Sequence, residues 1–250
     1  MTRLLVLQLD DDDPLARLGD WLAGAGAVLD IAKPHERPLP ATLDGYRGVV
    51  CLGGAMGASD DVDHPWLADV RRLLAHAVAA RVPTLAVCLG AQLLAAATGG
   101  QVRRGAHGPE VGVLLVAKRD VAAEDPLFAE LPWTPDVLQF HRDEIALLPP
   151  AAELLASSPK YPNQAFRVGE NAYGVQFHIE TTPEVVATWA RNDPEAAACA
   201  RPGGLDPEQL ESGHDDIREA WQPFAERFVR LAAGDLAERG AAGRRNLPLV

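Results

Sequence analysis

A cysteine joins an apolar tetrapeptide to a run of small residues in Thr84-Leu85-Ala86-Val87-Cys88-Leu89-Gly90-Ala91-Gln92. The tetrapeptide has strand character, and residues 88–94 read as a helix that begins within a residue or two of the cysteine. At such a junction the sulfur faces unpaired N–H groups and the positive end of the helix dipole, which favour thiolate, the nucleophilic form. Gly90 is expected to let a substrate approach the turn with no Cβ in the way. Ninety residues downstream stands Phe177-His178-Ile179-Glu180, at the end of an apolar run. In an extended segment, alternation turns His178 and Glu180 to one side of the chain. The imidazole could then take a proton from the thiol and return it to a leaving amine, while the carboxylate fixes its tautomer. Each segment alone has a plain reading: buried packing for the cysteine, a surface pair for the histidine and glutamate. Their conjunction points to hydrolysis through a cysteine nucleophile.

Positioning these groups needs a parallel sheet. Short apolar runs at 4–9, 27–32, 48–52 and 84–87 alternate with helical patterns at 14–24 and 65–80, the signature of βα units. Trp66, Val70, Leu73, Leu74 and Ala77 recur at helical spacing in the second of these. Beyond Gly100 the pattern shortens to strand-like pieces at 111–116, 137–140, 154–157, 164–168 and 173–177, expected as antiparallel additions to the sheet. The chain turns helical from Thr182, breaks over 193–204, and closes with a helix bearing Ile217, Trp221, Phe224, Phe228 and Leu231 in a stripe that must be buried. Docking on the main domain is the expected fate of that stripe, with self-association as a homo-oligomer or partner binding as its rival. The tail after Gly240 reads as frayed.

Composition limits what else the chain can do. With 250 residues, 48% of them hydrophobic, one α/β core with an appendage is expected. A net charge of -12 and isolated arginine pairs argue against nucleic acid as a partner. No apolar run approaches the roughly 18 residues that would span a membrane. Three scattered cysteines and the lack of a signal-like start fit a reducing cytoplasm. Asp10, Asp11, Asp12 and Asp13 lack the alternating spacing of a calcium loop and read as a solvated turn, so no metal is expected. His35, His64, His76, His107 and His214 read as surface residues, Cys51 as buried and inert, and Cys199 as incidental.

Taken together, the motifs resemble those of class I glutamine amidotransferases, whose nucleophile segment has a Cys-x-Gly-x-Gln core and whose triad ends in His-Pro-Glu. Here these are Cys88-Leu89-Gly90-Ala91-Gln92 and His178-Ile179-Glu180, and Gly53-Gly54-Ala55-Met56 resembles the Gly-Gly-Pro oxyanion loop. The likeness covers roughly residues 1–190 and is nearest to a stand-alone glutaminase of the GMP synthase kind. It implies a flavodoxin-like α/β three-layer sandwich over 1–192, with a mostly parallel central sheet and a helical extension over 193–250 packed on it. It further implies that Cys88, His178 and Glu180 are catalytic, that the backbone N–H groups of Gly54 and Leu89 hold the oxyanion, and that Gln92, Met56, His141 and Asp143 bind substrate. Glu110 lies in a turn similar to one near the family's site. Ile179, Ala55 and Ala91 depart from the family pattern without removing a triad member.

The implied reaction is hydrolysis of the glutamine γ-amide through a cysteinyl thioester, with no cofactor and with ammonia passed to an acceptor, for which a separate synthase subunit is the expected partner. A stand-alone γ-glutamyl peptidase is the alternative, and a non-catalytic binding module the second. Intracellular proteases and deglycase-like chaperones share the elbow cysteine, but theirs is commonly followed by histidine, whereas Leu89 follows Cys88 here.

Overall fold

The structure, a computed structural model, describes residues 1–236; the tail read as frayed lies outside them. Strands β1 (Thr2–Leu7), β2 (Ala27–Ala32), β3 (Gly48–Cys51) and β4 (Thr84–Val87) are joined through helices α1 (Ala16–Gly24) and α2 (Trp66–Ala79), with α3 (Leu89–Ala97) following β4. Later come β5 (Gln101–Arg104), β6 (Glu110–Leu115), β7 (Ala117–Lys118), β8 (Asp136–His141), β9 (Asp143–Leu147), β10 (Ala152–Ser157), β11 (Ala165–Val168) and β12 (Ala172–Val175). Helices α4 (Pro183–Asn192), α5 (Pro194–Ala197) and α6 (Pro207–Ala233) complete the described chain.

Eight strands form one sheet in the order β2-β1-β3-β4-β12-β11-β10-β7. The first five are mutually parallel; β11, β10 and β7 add in antiparallel sense. Both faces of the parallel part are covered, and the period-2 alternation of strand side chains sorts the core into two layers. Leu4 and Val6 of β1, with Leu85 and Val87 of β4, pack among α1 and α6 residues, whereas Leu5, Leu7 and Ala86 join α2 and α3. A three-layer sandwich results. The expectation that the short strands all add to the main sheet in antiparallel sense is corrected in part: β12 joins parallel to β4, and β6 pairs with β8, and β5 with β9, in two separate ribbons.

Helix α6 buries the whole of its apolar stripe: Ile217, Trp221, Phe224, Phe228 and Leu231 are each at most 4% exposed. Trp221 packs against Phe177 at 5.1 Å between ring centroids and edge-on against Phe128 at 6.0 Å, and its indole N–H donates to the Asp136 carbonyl at 2.9 Å. Such aromatic contacts add about 0.5–1.5 kcal/mol per pair beyond area burial. His214 of the same helix corrects its expectation as a surface residue. It is fully buried between the Thr181 hydroxyl at 2.9 Å and the Leu210 carbonyl at 2.6 Å. α6 therefore braces the segment 177–181 from behind, at Phe177 and at Thr181.

Candidate functional site

The carboxyl ends of four neighbouring parallel strands, β1, β3, β4 and β12, converge on a cavity of about 520 Å3. Ligands of open parallel sheets bind at this edge, where the loops leaving adjacent strands diverge. The aspartate run 10–13 leaves β1, Gly53-Gly54 leaves β3, Cys88 follows β4, and His178 follows β12. Registers Leu7↔Cys51, Cys51↔Ala86 and Val87↔Val175 bring these four loops level with one another.

Cys88 holds φ 49° and ψ −109°, a backbone conformation that costs a residue with a side chain about 1–3 kcal/mol. The site fixes it from both sides: the Cys88 N–H donates to the Val175 carbonyl at 2.8 Å, and its own carbonyl accepts from the Gln92 N–H at 3.0 Å. This sharp turn lifts the thiol off the strand and into the cavity at the first residue before α3. Gly90 is needed for a different reason from the one expected. A Cβ there would stand 2.3 Å from the Cys51 carbonyl oxygen, so the glycine permits close packing of α3 on β3 rather than substrate approach. Cys51 is wholly buried, and burial pushes its thiol well above the ordinary range.

His178 is pinned by its backbone, which exchanges two hydrogen bonds with Leu138 at 2.8 and 3.1 Å. Its Nδ1 lies 2.6 Å from Glu180 Oε1, and the other carboxylate oxygen accepts from the Ile179 N–H at 2.8 Å. Both side chains are 2% exposed. Burial alone would depress the imidazole, but the charges of Glu180 and Cys88 and hydrogen bonds to both outweigh it and hold His178 well above its ordinary value. With Nδ1 engaged by Glu180, Nε2 is the nitrogen left for the thiol. The Trp189 ring borders His178 at 4.6 Å between centroids and donates its N–H to the Asp12 carbonyl at 2.8 Å. α4, which carries Trp189, begins directly after this segment, with Thr182 capping the Val185 N–H and Pro183 in its first turn.

The aspartate run holds to its reading as a solvated turn at Asp11 and Asp12, which are exposed, and departs from it at Asp13. Asp13 is 8% exposed, and burial pushes its carboxyl up to about 7; nearby His178 opposes that shift, and Glu180, Asp10 and Asp12 add to it. The space between is filled by Gly53, whose missing Cβ would lie 2.5 Å from Asp13 Oδ2 and 3.2 Å from His178 Cε1. Asp10 accepts from the Ala55 N–H at 3.1 Å and so shapes the loop after β3. Gly54 abuts Leu89 and Met56, and all three residues line the cavity.

Across from this loop, Gln92 donates to Gln176 Oε1 at 3.2 Å, and Gln176 in turn donates toward Cys88 Sγ at 3.8 Å. His141 donates from Nδ1 to the Asp143 carbonyl at 2.8 Å, and its Nε2 lies 3.2 Å from Glu110 Oε2. Glu110 also accepts from Ser158 at 2.8 Å and from Gln164 at 2.8 Å. The structure thus brings Cys88, His178, Gly54, Leu89, Met56, Gln92, His141 and Asp143 to one cavity, with Glu180 behind His178. Sequence reasoning missed Asp13, Gln176 and Trp189. A glutamine in the otherwise apolar run 172–177 was the one available signal for Gln176.

Comparisons with known proteins fit this geometry. A family model described as glutamine amidotransferase class-I matches residues 26–193. Gamma-glutamyl peptidase 4 of Arabidopsis thaliana is 30% identical over 161 residues, 64% of this chain and 62% of that protein. One subunit of the glutamine-hydrolyzing GMP synthase of Pyrococcus furiosus is 38% identical over 118 residues, 47% of this chain and 58% of its own length. The chain thus spans less than two thirds of either relative. The crystal structure of a glutamine amidotransferase from Thermotoga maritima superposes with a TM-score of 0.79 at 29% identity, covering 91% of this chain and 98% of that one. With more than half of its length matched by the family model and the fold reproduced, the chain belongs to the class I glutamine amidotransferase family.

Proposed function

We propose that the chain hydrolyses the γ-amide of glutamine or a related γ-glutamyl compound through a thioester on Cys88. The observation that carries this reading is the convergence of a strained, cavity-facing Cys88 with a His178 whose far nitrogen is held by Glu180 at 2.6 Å. His178 Nε2 takes the proton of the Cys88 thiol as the sulfur attacks the amide carbon. The oxyanion that forms is stabilised by the N–H groups of Gly54 and Leu89. His178 then gives its proton to the amide nitrogen, the C–N bond breaks, and ammonia or an amine departs. Water, deprotonated by His178, attacks the thioester; glutamate leaves and the thiol is restored. Glu180 keeps the imidazole oriented and balances its transient charge. Gln176 and Gln92 position the sulfur and the acyl side of the substrate.

For glutamine, the ammonia would be used by an acceptor on a separate synthase protein. Hydrolysis of larger γ-glutamyl amides, a second reading, is favoured by the extension of the cavity past His178 to Trp189 and Asn192, beyond what an amide NH2 group occupies. Ammonia and glutamate release from glutamine, beside amine release from γ-glutamyl dipeptides, separates the two when Cys88→Ala serves as control. Cys88-dependent turnover of glutamine alone supports the first, and preference for the dipeptides the second. No turnover of either by folded protein would leave a non-catalytic binding module.

A further inference from the structure

The loop after β1 lines the cavity with three carboxylates, Asp10, Asp12 and Asp13, and among the described residues none of them has a lysine or arginine partner. The two arginines that border the cavity are already matched, Arg104 by Asp143 at 3.6 Å and Arg142 by Asp193 through Nε at 2.6 Å. Asp10 and Asp12 at least accept hydrogen bonds, from the Ala55 N–H and from Asn192 at 2.9 Å. Asp13 accepts none among the described residues, although it is 8% exposed and borders the cavity. A buried carboxylate without a partner is costly unless something else supplies one.

The position of this wall tells which part of a substrate would meet it. His178 hands its proton to the departing nitrogen, so a substituent on that nitrogen points past His178, away from Gln92. There it would meet Asp13, beside His178 at Gly53, then Asp12 and the Trp189 ring. Carboxylates beside a cavity-lining indole form a setting for an organic cation.

Resting on the γ-glutamyl hydrolase reading above, we propose that the leaving-group side of the cavity selects γ-glutamyl amides whose amine carries a second, positively charged group, such as a diamine. The cation supplies Asp13 with the partner it lacks and lies against Asp12 and Trp189. The burial that pushes Asp13 up to about 7 is then countered on binding, because a cation alongside favours the ionised carboxylate.

The test compares kcat/KM for three γ-glutamyl amides of similar length, those of diaminobutane, pentylamine and aminobutyrate, which are cationic, neutral and anionic. The cationic amide is expected to exceed the neutral one about tenfold or more, with the anionic one poorest, as charge complementarity at a desolvated site requires. Asp13→Asn should bring the cationic-to-neutral ratio down several-fold, and Asp12→Asn, at a more open position, provides the same reading should the first variant fold poorly. Equal turnover of all three, preference for the anionic amide, or ratios unmoved by these variants would overturn the inference and leave the hydrolase reading standing. Absence of Cys88-dependent turnover of these amides and of glutamine alike would remove both.

Discussion

The two walls of the cavity handle their polar groups in opposite ways. On the side of β6, β8 and β9, the polar side chains that line or back the site answer one another: Glu110 takes hydrogen bonds from Ser158 and Gln164 and pairs with His141, His141 reaches the Asp143 carbonyl, and Gln92 reaches Gln176, while deeper in this network only Gln139 Oε1 is left unmatched among the described residues. On the side of the loop after β1, the three carboxylates that line the cavity, Asp10, Asp12 and Asp13, have no lysine or arginine partner among the described residues, and Asp13 is buried with no hydrogen-bond partner among them. A hydrogen-bonded network of this kind rigidifies its surroundings and, in the proposed reaction, would give the acyl end of the substrate a fixed shape. An unsatisfied wall holds electrostatic free energy that a ligand can release, and so it discriminates by charge.

Both walls meet at Cys88 and His178, where the largest effects are expected. Cys88→Ala should lower kcat by about ten thousand-fold or more with the fold intact, because in the proposed mechanism loss of the nucleophile leaves only binding and oxyanion stabilisation. Steady-state release of glutamate, with circular dichroism as the control for folding, checks it. Glu180→Gln should lower kcat by about a thousand-fold while changing KM little, since an amide in place of the carboxylate no longer holds the tautomer or the imidazolium. It should also bring the His178 titration down toward its ordinary range, because Glu180 is the leading charge that raises it against burial. NMR of the imidazole would show this directly, and an unmoved titration would refute the assigned pairing.

The satisfied wall breaks next. Glu110→Ala removes the acceptor shared by His141, Ser158 and Gln164 and leaves buried donors unmatched. Loss of about 3–5 kcal/mol is expected from breaking a buried polar pair of this kind, measured as a shift of the urea midpoint at constant slope. The same variant should raise KM, because His141 would no longer be held from its far nitrogen and the Asp143 backbone would lose its anchor.

These contrasts also show why one wall was readable from sequence and the other was not. Cys88, His178 and Glu180 could be singled out as candidates because each sits within one or two positions of residues that suggest the same chemistry, and because the parallel strands that bring them together have strong periodic patterns. The sandwich itself was legible for the same reason: β1, β3 and β4 are short apolar runs bounded by turns. Within the aspartate run Asp13 was misread because consecutive charges normally lie in water, as Asp11 and Asp12 do. Its burial at Asp13 depends on Gly53, forty residues away, whose lack of a side chain leaves room for the carboxylate beside His178. Nothing local to Asp13 encodes that. His214 was misread likewise, since its partner Thr181 comes from another element. The ribbons β5–β9 and β6–β8 eluded prediction as separate sheets, because pairing partners of short strands are chosen by tertiary packing and not by the strands' own composition.

The smallest effect has the opposite sign to that of Glu110→Ala and tests the comparison most closely. In the unfolded chain the Asp13 carboxyl ionises near its ordinary value of 3.8, whereas in the fold burial carries it up to about 7. Between those values the folded state keeps a proton that the unfolded state has released, so stability declines as pH rises from about 4 to about 7 and then levels off. Asparagine abolishes that dependence. Asp13→Asn should therefore be more stable than the parent at pH 8 by up to about 4 kcal/mol, the limit set by a shift of this size, and nearly unchanged at pH 4. Thermal melts at the two pH values measure it as a gain of several degrees at the higher pH alone. A melting point lowered by the substitution at pH 8 would mean that the carboxylate is already paired in the folded protein, and the two walls would then not differ.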